Sequence, residues 1–277
     1  MLNPLVSIII PAYNEQDVIG RLLKSVKNQS YKNIETIVVD DNSSDSTLAI
    51  SKKYTKLAFH RQHAERSVQR NFGANKSKGQ YFLFLDADME LTPEVVSECV
   101  AKIQGDTSIG AIAIPELPIA SNYLEKVKAF ERSFYSDFGD PDTDAARFFT
   151  HKAFMQAGGY DETLIGPEDW DLPETISKLG YKIDRVHTLV LHYERVPSLL
   201  KLAKKKYYYA LTSHRYFAKH HIAAFGPKTI YFLRPIFYRN WEKLIKHPLL
   251  TLGLIVVLTI EQIAGGIGYV VGKYKSL

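Results

Sequence analysis

The sequence predicts an α/β fold with a mostly parallel sheet, followed by basic-aromatic helices and a C-terminal hydrophobic helix. In the first part of the chain, short β-branched or apolar runs alternate with segments of helical periodicity. After Pro197 the composition shifts to lysine, tyrosine and leucine, and Leu249–Gly272 then contains 24 residues of which only Glu261 is charged. These observations indicate a sheet region first and helices afterwards.

Each element of the alternating region has its own signal. Val6–Ile10 and Thr36–Val39 are β-branched runs, and Tyr81–Leu85 is apolar throughout, as expected of a strand buried on both faces. Asp17–Gln29 carries apolar residues at helical spacing. The other predicted elements are helices at Ser46–Tyr54, Ser67–Lys76, Pro93–Gln104 (capped by Thr92) and Asn122–Phe134, strands at Leu57–Phe59, Ile109–Ile114 and Thr188–Leu191, an acid-rich loop at Asp137–Asp144, and a helix after Glu168-Asp169 that ends near Gly180.

Composition and charge exclude several protein classes. Hydrophobic residues make up 45% of the 277 residues, so the chain can bury a large core. The sequence contains one cysteine, Cys99, which excludes both an internal disulfide and a zinc cluster of cysteines. The segment MLNPLVSIIIPAYNE predicts no signal peptide. Residues 1–194 have a net charge of −7, whereas residues 195–247 carry 12 Lys and Arg against one acid. We therefore expect two parts with different partners, divided near residue 197.

Polar segments follow three of the predicted strands directly. Ligands of open α/β sheets bind beyond the carboxyl ends of the strands, so these segments are candidate site residues. Asp86-Ala87-Asp88 follows Tyr81–Leu85. In an extended segment, side chains two residues apart point the same way. The two carboxylates can therefore share a divalent cation with diphosphate oxygens. Alone, such a pair more often belongs to a solvated turn, and its position directly after the predicted strand is what favours the cation site.

The other two strand-end segments offer groups for a nucleotide. Asp40 and Asp41 close the second strand, and one of them can accept a hydrogen bond from a nucleobase; the alternative is capping of the next helix by residues such as Asp45 or Ser46. Tyr13 follows the first strand, where its ring can stack on a base or simply pack at the rim of the core.

Further charged candidates lie near helices. Arg66 and Arg70 are one turn apart on a predicted helix and either approach the negative charge of a nucleotide or form a solvated face. Glu168 and Asp169 are followed by a helix, whose dipole stabilises acids there; alternatively, one of them is a general base that takes a proton from an attacking hydroxyl.

Taken together, the segments resemble glycosyltransferase family 2, the nucleotide-sugar transferases with the GT-A fold. The similarity rests on VSIIIPAYNE, VVDDNSSDST, QRNFGANKSKGQYFLFLDAD, GGYDE and EDWDL, which occur in this order and cover about residues 4–195. The resemblance implies a Rossmann-like domain that binds a nucleotide-diphosphate sugar together with Mn²⁺ or Mg²⁺. The basic and apolar tail after residue 197 lies outside the core that the family shares.

The resemblance also implies roles for individual residues. Asp169 matches the catalytic base, with Glu168 beside it, and His192 follows a predicted strand from which it can reach the metal. Asp86 and Asp88 match the metal–diphosphate motif, with Asp88 as the direct ligand. The nucleotide- and donor-binding residues implied by position are Pro11, Ala12, Tyr13, Glu15, Asp41, Arg70, Asp86, Arg147 and Gly159.

The C-terminal part predicts contact with a membrane. At 1.5 Å per residue, Leu249–Gly272 reaches about 36 Å, enough to cross a hydrocarbon core of about 30 Å. Glu261 opposes insertion, so a helix lying in the interface and a buried soluble helix remain alternatives. Gly268 and Gly272 have a spacing suited to helix pairing, which allows a homo-oligomer. The preceding basic-aromatic stretches favour anionic headgroups over nucleic acid, because the apolar segment follows directly.

The resemblance implies an inverting, metal-dependent sugar transfer. With the C-terminal features, we expect a GT-A catalytic domain at 1–197, basic amphipathic membrane-surface helices at 198–247 and a hydrophobic membrane helix at 248–272. The expected acceptor is a hydroxyl of a lipid-linked or membrane-proximal glycan, at the cytoplasmic face of the cell membrane. A polyprenyl-phosphate glycosyltransferase of the same fold is the nearest alternative, but an ionised phosphate acceptor needs no general base. A nucleotidyltransferase would carry a Gly-rich phosphate loop where this chain has PAYNE. A catalytically inactive membrane adaptor is the non-enzymatic alternative.

Overall fold

The computed structural model describes residues 3–138, 145–223 and 225–275, so most of the predicted acid-rich loop at Asp137–Asp144 lies outside the described residues. The chain forms two compact units. The sheet unit comprises residues 1–116, 145–162 and 169–192, and the helical unit comprises residues 117–144, 163–168 and 193–277.

The strands are β1 (Val6–Ala12), β2 (Ile34–Asp40), β3 (Leu57–His60), β4 (Tyr81–Phe84), β5 (Met89–Leu91), β6 (Ile109–Ala113), β7 (Glu116–Ile119), β8 (Ala146–Thr150), β9 (Lys182–Arg185) and β10 (Val190–Tyr193). The helices are α1 (Ile19–Lys27), α2 (Thr47–Ser51), α3 (Arg66–Lys76), α4 (Val95–Gly105), α5 (Tyr123–Phe138), α6 (His151–Gln156), α7 (Glu168–Lys178), α8 (Leu199–Ala210), α9 (Ser213–Lys219), α10 (Pro235–Arg239), α11 (Trp241–Lys246) and α12 (Pro248–Lys275).

The sheet unit is built on a seven-stranded sheet with the order β3-β2-β1-β4-β8-β6-β9. Strand β1 pairs in parallel with β2 and β4, as β2 does with β3 and β6 with β9. Side chains alternate between the two faces: Ile8 and Ile10 pack into one hydrophobic cluster, and Ile9 packs into the other. Burial on both faces explains why these strands are continuous apolar runs.

Strand β8 makes the sheet mixed, because it runs antiparallel to both β4 and β6. The sequence prediction omitted this strand, since a five-residue segment ARFFT has too few residues to show a period. The predicted cap at Thr92 is wrong as well. Helix α4 begins at Val95, and the Thr92 hydroxyl instead donates to the carbonyl of Leu189 at 2.8 Å.

A second, smaller sheet extends the sheet unit where β10 pairs antiparallel with β5. The register places His192 opposite Met89. The sequence predicted that His192 follows a strand. Strand β10 covers Val190–Tyr193, so His192 lies inside the strand instead. This pairing brings the imidazole to the residue that follows Asp88.

The helical unit has its own core, formed by aromatic and aliphatic side chains of α5, α10 and α12. Among the described residues, α12 is the one helix long and apolar enough to cross a membrane. It packs along α5 and α8. Its acid, Glu261, is 3% exposed and lies 3.0 Å from the ammonium of Lys128 on α5. Lys128 also pairs with Glu131, so one partly buried cation links two carboxylates.

Candidate active site

The carboxyl ends of β1, β2 and β4 meet at one edge of the sheet, as their parallel pairing requires. Pro11 and Ala12 are buried within β1, where they pair with Val39 and Asp40 of β2. The amide of Asp41 donates to the carbonyl of Ala12 at 2.8 Å. The first two strands end at Ala12 and Asp40, two residues and one residue later than the sequence predicted, so the segments that follow them begin at Tyr13 and Asp41.

At one end of this edge, Asp41 organises an aromatic pair. Its Oδ1 accepts from the amide of Ala64 at 2.8 Å and from Gln69 Nε2 at 2.5 Å, and its Oδ2 lies 2.7 Å from Nδ1 of His63. The rings of His63 and Tyr13 are 5.3 Å apart and tilted by 47°. Both rings are largely exposed, so they form an aromatic surface supported by a buried carboxylate.

Glu15 contributes its backbone to the loop after β1. Its amide donates to Thr47 Oγ1 at 2.8 Å, and its carbonyl accepts from the amides of Val18 and Ile19. The hydroxyl of Thr47 is held in turn by Asp45, whose Oδ1 also accepts from the Thr47 amide at 2.9 Å. Asp45 rather than Ser46 therefore supplies the side-chain cap of α2.

In the middle of the edge, Arg70 joins two of the predicted carboxylates. Its guanidinium has no exposed surface; Nη2 lies 2.9 Å from Asp86, and Nη1 lies 2.6 Å from Asp169. The guanidinium also stands 5.0 Å from the ring centre of Tyr160. Asp86 and Asp169 are 83 residues apart in sequence, so the fold brings them together through one fully buried side chain of α3.

A second guanidinium reaches Asp86 from β8. Arg147 Nη1 lies 3.4 Å from Asp86 Oδ2. Burial alone would raise the pKa of Asp86, but the guanidiniums of Arg70 and Arg147 outweigh burial and hold the pKa of this carboxyl well below its usual range. Asp86 is therefore ionised at neutral pH and faces two cations.

Glu116 orients the neighbouring groups and was not predicted from the sequence. Its Oε1 accepts from Nε and Nη2 of Arg147 at 2.9 and 2.5 Å, and its Oε2 lies 2.7 Å from Nδ1 of His192. Because an ionised carboxylate only accepts, Nδ1 of His192 carries the proton in this contact. Nε2 of His192 then faces Oδ2 of Asp88 at 3.8 Å.

This arrangement fits a divalent cation that is shared with a substrate. Asp88 offers a carboxylate and His192 an imidazole held by a second carboxylate, which is the usual support for a metal-binding histidine. Within the described residues, no cluster of three or more His, Cys, Asp and Glu side chains holds a metal by itself. Two protein ligands suffice where phosphate oxygens complete the coordination. Both oxygens of Asp86 face arginines, so Asp88 fits the cation better.

Gly159 lies in a turn fixed to α3 next to Arg70. Its φ is +76°, and an added Cβ would stand 2.8 Å from Oδ1 of Asn71. Asn71 holds the turn, because its Oδ1 accepts from the amide of Tyr160 at 2.9 Å and its Nδ2 donates to the carbonyl of Tyr160 at 2.8 Å. Asn71, like His63 and Glu116, lacks a signal of its own in the sequence.

Glu168 and Asp169 occupy the first turn of α7, whereas the sequence prediction placed both residues before the helix. Asp169 belongs to the sheet unit and bonds to Arg70, whereas Glu168 is buried and belongs to the helical unit. The structure thus brings Asp169 to the predicted donor carboxylate Asp86 through Arg70.

The model of the family "Glycosyl transferase family 2" matches residues 7–157. The chain belongs to this family. It is 25% identical over 213 residues to the amylovoran biosynthesis glycosyltransferase AmsB of Erwinia amylovora, and the matched region covers 69% of each chain. It is 33% identical over 106 residues to the GalNAc(5)-diNAcBac-PP-undecaprenol beta-1,3-glucosyltransferase of Campylobacter jejuni, covering 36% of this chain and 34% of that enzyme. Three other curated relatives are matched over 17%, 38% and 44% of their lengths.

Solved structures confirm the predicted fold of this family 2 glycosyltransferase. A mannosyltransferase from Pyrobaculum calidifontis, solved with GDP-Man and Mn²⁺, has a TM-score of 0.61 at 18% identity and covers 95% of this chain and 74% of its own. Residues 1–349 of Staphylococcus aureus TarS, solved with UDP-GlcNAc, have a TM-score of 0.58 at 16% identity, covering 98% and 92%. At these identities the likeness establishes the fold alone, which is the GT-A fold expected from the sequence.

Proposed function

We propose that the protein is a membrane-associated, metal-dependent inverting glycosyltransferase that moves a sugar from a nucleotide-diphosphate donor to a hydroxyl of a lipid-linked or membrane-proximal glycan. One observation carries the proposal. The buried guanidinium of Arg70 lies within 2.9 Å of both Asp86 and Asp169, so the candidate donor-binding carboxylate and the candidate base face one site.

The donor is assigned to the strand-end edge. Tyr13, with His63 beside it, offers a ring surface for the nucleobase, and Asp41 offers carboxylate oxygens to its N–H groups. Arg70 and Arg147 place positive charge where the diphosphate would lie. Two structural neighbours carry GDP and UDP sugars respectively, so the proposal leaves the base of the nucleotide open.

Asp88 and His192 are the residues that would hold Mn²⁺ or Mg²⁺, while Glu116 fixes the imidazole. Such a cation offsets the negative charge that grows on a departing nucleotide diphosphate. The neighbour solved with Mn²⁺ and GDP-Man supports the same class of cation. Asp86 is paired with two arginines and is assigned to donor binding rather than to the cation.

Asp169 is the proposed general base. In direct displacement, the acceptor oxygen forms a bond to the anomeric carbon as the bond to the diphosphate oxygen breaks, and Asp169 takes the proton of the hydroxyl. The attack comes from the face opposite the leaving group, so the anomeric configuration inverts. A phosphate acceptor has no such proton to remove, and Asp169 beside Arg70 therefore favours a hydroxyl over a polyprenyl phosphate.

The acceptor and location rest on the relatives and on the helical unit. The matched enzymes are named for amylovoran and for an undecaprenol-linked glycan, which supports a glycan or lipid-linked acceptor. We assign catalysis to residues 1–197 and membrane contact to 198–247 and 248–272. Because nucleotide sugars are made in the cytosol, the proposed location is the cytoplasmic face of the cell membrane.

Calorimetric titration of nucleoside diphosphates and their sugars, with and without Mn²⁺, tests the donor site. The full chain is expected to bind one donor in a metal-dependent way, and Asp88→Ala is expected to lose that dependence because the carboxylate ligand is gone. Asp184→Asn, a change of a surface carboxylate in the same unit, serves as the control and retains binding. Unchanged metal-dependent affinity in Asp88→Ala would remove the metal from the proposal.

A further inference from the structure

Two opposite faces of α12 have different surroundings. The docked face, formed by Leu254, Val257, Leu258, Glu261, Gly268 and Gly272, is buried. The apolar stripe, formed by Leu249, Leu252, Val256, Ile263, Ile267 and Val270, is 44% to 74% exposed. Both sets recur at intervals of three, four or seven residues, so each marks one side of the helix.

The docked face is fixed to helices of the same unit along most of its length. A Cβ on Gly268 or Gly272 would meet the backbone carbonyls of Tyr207 and Leu211, which are on or next to α8. Glu261 pairs with Lys128 of α5, and Gln262 Oε1 accepts from the amide of Tyr231 at 3.0 Å. The glycine pair that suggested oligomerisation in the sequence is therefore covered by the chain itself.

The docked face is nearly as long as a bilayer is thick, so no undocked part of α12 is long enough to cross one. From Leu254 to Gly272 the helix rises about 27 Å, nearly the full hydrocarbon thickness of about 30 Å. A crossing helix would carry α5 and α8 with it, and α8 alone contains four lysines in twelve residues. Those ammonium groups would have to enter the hydrocarbon, which is unfavourable.

Lysines flank both ends of α12, and those at its N-terminal end lie near acids, Lys243 at 2.5 Å from Asp137 and Lys246 at 3.8 Å from Glu242. Lys243 and Lys246 precede the helix, and Lys273 and Lys275 are in its last turn. A spanning helix normally has its basic excess on one side of the membrane only. Lysines at both ends match instead a helix whose ends lie at the same headgroup layer.

We infer that α12 lies in the plane of an anionic phospholipid surface, with its apolar stripe among the acyl chains and its basic ends among the headgroups, and does not span the bilayer. The inference rests on the membrane association in the proposed function and specifies its geometry. A second copy of the chain fits the stripe less well, because residues 195–247 have a net charge of +11 and two such surfaces repel.

Cysteine labelling in sealed inverted membrane vesicles tests the geometry with the full chain. Lys246→Cys and Lys273→Cys, made separately, report the two ends of α12, and the wild type with its buried Cys99 gives the background. An in-plane helix predicts that a membrane-impermeant maleimide labels both positions equally without detergent. Labelling of one position only after detergent would show a spanning helix and overturn the inference, while leaving membrane association intact. Protein found in the soluble fraction would overturn both.

Binding to the lipid is tested with vesicles of phosphatidylcholine, with or without phosphatidylglycerol. Ile263→Glu and Leu252→Glu place a charge on the stripe and should weaken vesicle binding about tenfold or more. Leu179→Glu makes the same change at an exposed leucine of the sheet unit and should bind as the wild type does. If the stripe variants bind vesicles normally but convert a lipid-free dimer to monomer, the stripe covers a second copy and the inference fails.

Discussion

Each unit of the molecule contains a cation that bridges two carboxylates, fully buried in the case of Arg70 and 17% exposed in the case of Lys128, and the surroundings differ. In the sheet unit, Arg70 joins Asp86 and Asp169, whose side chains are 20% and 24% exposed. In the helical unit, Lys128 joins Glu131 and Glu261, whose side chains are 10% and 4% exposed. The first bridge opens onto solvent at the strand-end edge, whereas the second is enclosed by α5 and α12.

The difference separates a functional arrangement from a structural one. A guanidinium whose partners are partly open can redistribute its hydrogen bonds when an anionic ligand arrives, and its planar fork suits phosphate oxygens. Lys128 pairs with carboxylates that are almost fully buried and fixes α12 on α5. In the proposed function, the same chemical motif therefore serves substrate binding in the sheet unit and helix docking in the helical unit.

The largest expected effect comes from breaking the Arg70 bridge. Arg70→Met leaves Asp86 and Asp169 without the guanidinium between them, so the free energy of unfolding should fall by about 3–5 kcal/mol and transfer activity should be lost. Denaturant titration followed by a transfer assay measures both. Lys76→Met, in the last turn of the same helix and exposed, should cost less than about 1 kcal/mol. Equal losses in the two variants would contradict the special role of Arg70.

Breaking the Lys128 bridge sharpens the comparison. Lys128→Met leaves Glu131 and Glu261 without their shared cation, and we expect a loss of about 3 kcal/mol in the free energy of unfolding. The kcat of the folded fraction should be unchanged, because the helical bridge takes no part in the chemistry. A kcat that falls as it does in Arg70→Met would show that the two bridges are not functionally distinct.

The smallest expected effect concerns the turn beside Arg70. Gly159→Ala puts a side chain at φ +76° and against Asn71, which should cost about 1–3 kcal/mol. Gly158→Ala shares the positive φ of +83° but meets no atom within 4 Å, so it isolates the backbone strain from the crowding. In thermal unfolding, the melting temperature of Gly159→Ala should be lower than that of Gly158→Ala. The reverse order would contradict the crowding at Asn71.

The strand-end residues could be predicted from the sequence because topology alone collects them. The carboxyl ends of parallel strands meet at one edge, where Tyr13 and Asp41 each follow a strand directly and Asp86 lies two residues beyond another. Their supporting residues could not be predicted in the same way. His63, Asn71 and Glu116 reach the site through loop closure and strand register, and single residues of these types carry no periodic signal.

The C-terminal helix shows a second limit of sequence reasoning. Its length and apolar composition predicted membrane contact, yet both properties are the same for a spanning and an in-plane helix. The distinction depends on partners such as Lys128 and the backbone next to Tyr207, which are more than 50 residues away in sequence. A GxxxG spacing marks a close helix contact but does not identify which helix supplies it.

The central claim, that Asp169 is the base of a hydroxyl-directed transfer, is tested most directly by the kinetics of Asp169→Asn. Asparagine keeps an oxygen for Arg70 but cannot take a proton, so kcat on the acceptor should fall by about 10²–10⁴-fold while donor affinity stays nearly constant. Asp184→Asn on the surface should retain kcat. A near-normal kcat in Asp169→Asn would contradict the account and favour a phosphate acceptor, which brings no proton to remove.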